Sequence, residues 1–105
     1  MTNPFAPFVA TLAADRRLVI LRLLVEAGGE CGDSVLQKGL LLLRHRLAAD
    51  RSVVHADLDF LKANDLVVTE ELGDRVLAVT ITQRGVALTK GAVHVEGVSQ
   101  PSMGV

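Results

Sequence analysis

Apolar residues recur at helical spacing from about Pro7 to Ala27. Val9, Leu12, Val19, Leu23 and Leu24 carry the stripe, and Asp15, Arg16, Arg17, Arg22 and Glu26 fall between them. Gly28 and Gly29 predict the stop, because Gly accepts the left-handed backbone past a helix C-terminus. Glu30-Cys31-Gly32-Asp33 reads as a short link. Ser34-Val35-Leu36-Gln37 has the S-x-x-Q form of a capping box, so a second helix is expected from about residue 34, through Leu36, Leu40 and Leu43, to about Arg44. Four Leu in a row, Leu40 to Leu43, exceed what one helix face can bury, so part of this run should meet something else.

A turn over His45 to Asp50 leads to a third helix, capped by Asp50 or Ser52, with Val54, Leu58 and Leu61 as its apolar stripe. Asn64-Asp65 closes it, Asn being the more tolerant of the left-handed cap. The run Leu66 to Leu72 and the alternating run Arg75 to Thr82 read as two strands joined by a two-residue Gly73-Asp74 turn. Leu77, Val79 and Ile81 then point one way, and Val76, Ala78 and Thr80 the other. Thr82 caps a short fourth helix that ends near Gly91. This predicts a flexible N-terminus over 1–7, one domain over 8–91 and a loose C-terminal tail over 92–105, an α+β arrangement that is mostly α.

Composition narrows the chemistry. The 105 residues suit a single core, and half are apolar. Three Phe with no Tyr or Trp leave almost nothing on which unpaired bases could stack. The formal net charge is −1, so any affinity for nucleic acid must come from local clusters of Arg and Lys. Cys31 stands alone, which excludes an internal disulfide and fits a reducing compartment. Neither a membrane-spanning run nor a secretory leader is seen, so a cytoplasmic protein that does not meet membranes is expected. Metal binding needs two or more soft ligands close together, and the His residues are scattered, so no metal or other cofactor is expected. Asp57 and Asp59 lie two apart and face different ways, which rules out an acid–base dyad between them. No phosphate-cradling Gly loop or nucleophile turn is present, and the chain is not expected to be an enzyme.

The order of helix, helix, turn, helix, hairpin and helix resembles the winged helix-turn-helix superfamily over roughly residues 8–90. Ser52-Val53-Val54-His55-Ala56-Asp57-Leu58-Asp59-Phe60-Leu61 is similar to the S-x-V-x-x-x-L-x-x-L core of a recognition helix. Asn64-Asp65-Leu66-Val67 stands where the family leads into its wing. Thr82-Gln83-Arg84-Gly85 is similar to the T-x-x-G that opens the last helix of many bacterial repressors. The stretches 15–24, 34–37, 45–47 and 95–98, with Pro101-Ser102, also resemble short winged-helix proteins encoded in Mu-like prophages. The fold so implied is a three-helix core with a two-stranded wing and a short C-terminal helix.

The prophage resemblance implies a phage-encoded cytoplasmic protein; the superfamily likeness, with Arg44, Arg46, Arg51 and Arg75, leads to the expectation that it binds double-stranded DNA and regulates transcription as a homodimer. A helix fits the major groove and shows its N-terminal half to base edges. The outward residues of the third helix would then be Arg51, Ser52, His55, Ala56, Asp59 and Lys62, with Arg51, Ser52, His55 and Lys62 as the expected DNA contacts. Arg75 at the wing tip would enter the minor groove, and Arg44 and Arg46 would clamp phosphates. Phe5, Phe8, Leu12, Leu41 and Leu42 are the expected dimer interface, since one small domain has little room to bury them. A second reading is a protein-interaction module for a phage or host partner, favoured by the near-neutral charge, by Asp57 and Asp59 on the third helix, and by the surplus Leu.

Overall fold

Helix endings are the most regular feature of the chain, and they fix its course. The computed structural model describes residues 3–101. In chain order it contains α1 (Ala6–Glu26), β1 (Glu30–Gly32), α2 (Asp33–Leu42), a 3-10 turn (Arg46–Ala49), α3 (Arg51–Ala63), β2 (Val67–Glu71), β3 (Leu77–Ile81) and α4 (Gln83–Thr89). After α1 the amide of Gly29 donates to the Leu24 carbonyl (2.7 Å) and that of Gly28 to Val25 (3.1 Å), the paired bonds of a Schellman motif. The same pairing closes α2 through Arg44 and His45, and α3 through Asp65 and Leu66. The left-handed residue is therefore Asp65 (φ 59°), while Asn64 stays at a negative φ, one position earlier than the left-handed cap expected of it.

The architecture is α+β and mostly helical, with one antiparallel sheet in the order β1-β3-β2. Glu30 to Gly32, expected to be a link, pairs with Thr80 to Ala78 instead. A three-residue strand is too short to show a period, so only its partner reveals it. The hairpin register places Glu71 opposite Leu77, and the Leu72 amide donates to the Val76 carbonyl (2.8 Å). Its loop is thus Gly73-Asp74-Arg75, one residue longer than predicted, with Gly73 and Arg75 both at positive φ.

The expected capping box is absent. Gly32 occupies the N-cap of α2 with no side-chain bond, because β1 runs directly into the helix and Ser34 falls inside its first turn. Gln37 instead donates through Nε2 to the carbonyl of Ala48 (2.8 Å), tying α2 to the 3-10 turn. Thr82 does cap α4: its hydroxyl oxygen accepts from the Gly85 amide (3.0 Å), and its hydroxyl donates to the Asp65 carbonyl (2.7 Å). Gly85 must be small, since a Cβ there would press on the Leu66 carbonyl and lie 2.7 Å from Ile81 Cγ1.

The core is aliphatic. Leu18, Ile20, Leu21 and Leu24 of α1 meet Leu36 and Leu40 of α2, Val54, Leu58 and Leu61 of α3, and Val67 and Val79 of the sheet. The segment after α4 belongs to it. Val95 and Val98 are buried, the Ser99 amide donates to the Ala14 carbonyl (3.2 Å), and Gly97 packs on the Phe60 ring. Residues 92–101 are therefore irregular in backbone but anchored, where a loose tail was expected. The ends of the flexible segments expected at 1–7 and 92–105, residues 1–2 and 102–105, lie outside the described residues. No helix among the described residues is long and apolar enough to cross a membrane.

Candidate nucleic-acid interface

Asp50 starts α3 by accepting from the Ser52 amide (2.9 Å) and the Ser52 hydroxyl (2.7 Å), and these bonds hold its carboxyl below the usual range. From there the helix divides into two sides. Val54, Asp57, Leu58 and Leu61 face inward and are buried. Arg51, Ser52, Ala56, Asp59 and Lys62 are exposed, and His55 is half-buried. Asp57, expected to put a second negative charge along this helix, is thus turned away from its exposed side. It sits 1% exposed on the core side, where Arg16 Nε (2.6 Å) and Arg17 Nε (3.1 Å) donate to it. Its spacing to Val54, Leu58 and Leu61 is that of the apolar stripe itself, and this was the signal for an inward carboxylate.

Between α3 and the β2-β3 hairpin runs an open groove of about 610 Å³. Arg51, His55, Asp59 and Lys62 line it from the helix, with Thr69, Glu71 and Arg75 on the hairpin side. Four of the seven expected DNA contacts therefore share one groove. Ser52 is committed to Asp50. Arg44 and Arg46 lie apart, around a smaller hollow of about 210 Å³ with Leu12, Arg16, His45 and Leu47. The five expected interface residues do not line one surface either. Phe5, at the N-cap of α1, and Phe8, in its first turn, are exposed, and Leu12 borders the Arg44–Arg46 hollow. Leu42 borders a different groove, between α1 and α2, and Leu41 is exposed without lining any of these hollows.

Beneath the main groove lies Asp33, a residue the sequence reading left in a link. It is 3% exposed, at the first turn of α2, where the helix dipole favours an acid. It accepts from Arg51 Nη2 (2.8 Å), from the Ser34 amide (3.0 Å) and from the Leu77 amide (3.3 Å), and it is bonded to His55 Nε2 (2.8 Å). Arg51 also donates to the Arg75 carbonyl. Burial works against the Asp33 charge, yet the bonds from His55 and Leu77, the Arg51 guanidinium and the Ser34 amide outweigh it. Its carboxyl stays below the ordinary range. One carboxylate so couples the start of α2, the start of α3 and the β2-β3 hairpin. Arg51 and His55 are spent in part on this coupling. Lys62, Arg75, Arg44 and Arg46 make no ion pair among the described residues.

Cys31 is half-buried beside the core, and burial together with the Glu30 charge pushes its thiol up, away from reactivity. No group of three or more His, Cys, Asp or Glu suited to a metal occurs among the described residues.

A helix set beside a hairpin, with basic side chains converging on the groove between them, defines a small α+β protein with one open polar face. The chain belongs to the family of gp26 of Escherichia phage Mu. It is 39% identical to that protein over 90 residues, covering 86% of this chain and 91% of the phage protein. An uncharacterized protein of Haemophilus influenzae is 36% identical over 77 residues, 73% of this chain and 74% of the relative. No protein-family model and no solved structure matches the chain.

Proposed function

We propose that this is a winged-helix DNA-binding protein, a phage or prophage transcriptional regulator that acts in the cytoplasm as a dimer. The observation that carries this reading is that the outward side of α3 is left open by the described residues, with Arg51, His55, Lys62 and Arg75 gathered on its groove. The 13 residues of α3 make a rod about 20 Å long, and a helix about 10–12 Å across with its side chains fits a major groove about 12 Å wide. In this reading Arg51 and His55 set the helix–wing geometry through Asp33, while Lys62 and Arg75 supply charge to phosphates. Arg44 and Arg46 reach the flanking backbone. The departure of Asp57 into the core leaves Asp59 as the one carboxylate on the exposed side of α3.

The reading is tested by fluorescence anisotropy with duplex fragments of the parent phage or prophage genome at about 50 and 200 mM salt. Binding that falls about 10-fold or more between the two supports it. Absence of binding at the lower salt rejects it.

A second reading, a protein-interaction module, is favoured by one specific observation. The hairpin exposes Val68, Leu72 and Val76, and Glu71 lines the groove beside Asp59. A stoichiometric phage or host protein co-purifying with the chain, lost on Leu72→Asp, would select it over DNA binding.

A further inference from the structure

The groove between the C-terminal half of α1 and α2 is separate from the one that faces α3. It measures about 370 Å³ and is floored by Leu23, Cys31 and Leu36. The two helices come close because Gly39 has no side chain: a Cβ there would lie 2.8 Å from Leu23 Cδ1. Of the residues that line the hollow, Leu42 and Val35 stand outward, 82% and 56% exposed. Exposed aliphatic side chains beside an apolar hollow are the mark of a partner surface.

We propose that the occupant of this groove is a second copy of the chain, related by a twofold axis through the groove. Two features of the surface point to its own image. The two charged residues lining the groove are Glu26, contributed by α1, and Lys38, contributed by α2. A twofold rotation sets Glu26 of one copy against Lys38 of the other, and does so twice, because an isologous contact pairs each residue with its counterpart reciprocally. Leu42 and the hollow also share one face, so each copy presents a knob and a hole to the other. Of the five residues expected at a dimer interface, only Leu42 belongs to this face. The inference deepens the dimeric part of the proposed function and does not depend on DNA.

Sedimentation of the full chain without DNA tests it, with circular-dichroism melts to verify that each variant folds. The wild type is expected to be dimeric at micromolar concentration. Leu42→Lys, at the last turn of α2 where a cation suits the helix end, is expected to be folded and monomeric. Glu26→Lys and Lys38→Glu are each expected to weaken dimerisation about 10-fold, because each sets two like-charge pairs across the interface. The double variant E26K/K38E is expected to restore it. A wild-type monomer at about 100 μM overturns the proposal. So does a dimer that resists Leu42→Lys, one lost on Phe8→Lys instead, or a double variant no better than the singles. A monomer that still binds duplex fragments overturns this inference and the dimeric part of the proposed function, and leaves the DNA reading standing. A dimer of the expected charge behaviour that binds no DNA overturns only the DNA reading.

Discussion

Asp57 and Asp33 are both buried carboxylates that take two basic side chains, yet they do different work. The partners of Asp57, Arg16 and Arg17, are themselves enclosed, with side chains 8% and 18% exposed. Arg17 also donates to the Gly97 carbonyl (3.0 Å) and stacks on Phe60, its guanidinium carbon 3.9 Å from the ring centre. This cluster fastens α1, α3 and the C-terminal segment into one frame, and every basic group in it is permanently charged. The partners of Asp33 face water: Arg51 is 44% exposed and His55 36%. In the proposed DNA reading their outer atoms exchange solvent for a phosphate while Asp33 keeps the helix and hairpin in register. The same charge motif is thus enclosed at Asp57 and open to water at Asp33.

Removing each carboxylate separates the two roles. Asp57→Ala strands two enclosed guanidinium groups and is expected to cost about 3–5 kcal/mol in urea unfolding. A loss under about 1 kcal/mol would mean that the frame does not depend on this cluster. Asp33→Asn keeps the shape but weakens charge-assisted bonds, with an expected cost of about 2 kcal/mol. Arg51→Ala should cost only about 0.5 kcal/mol, because a half-exposed pair contributes little and the two amides still hold Asp33. Equal losses for Asp33→Asn and Asp57→Ala would erase the distinction drawn between them.

Acid sharpens the contrast. The folded Asp33 carboxyl lies below its unfolded value of about 4, so its contribution is present above that pH and is lost as pH falls through the folded value. Wild-type stability is expected to decline below about pH 4, and Asp33→Asn to decline less steeply over the same window. Parallel acid profiles for the two proteins would show that Asp33 is not held down by its neighbours.

Much of this frame is legible in the chain. The stripe Val54, Leu58, Leu61, the Gly28-Gly29 stop and the Thr82 cap each follow from local rules, and each is realised. What escaped was set by distant partners. β1 exists because β3 is there to pair with it, and Gly32 therefore displaced Ser34 from the cap. Val95 and Val98 are held by α1 and by the Phe60–Gly97 contact, whereas their own Gly-rich neighbourhood suggested a loose end. At the site, Arg51, His55, Lys62 and Arg75 were found by helical phase and turn position. Asp33 was missed because Arg51, His55 and the Leu77 amide, which make it a hub, lie 18 to 44 positions away.

The central claim is that the α3–hairpin groove meets phosphates through Lys62 and Arg75. It is tested most directly by the slope of log affinity against log salt for the wild type, Lys62→Ala and Arg75→Ala on one duplex fragment. Each substitution is expected to lower the slope by about one unit while leaving the melting temperature unchanged. Slopes identical to that of the wild type in both variants would contradict the claim.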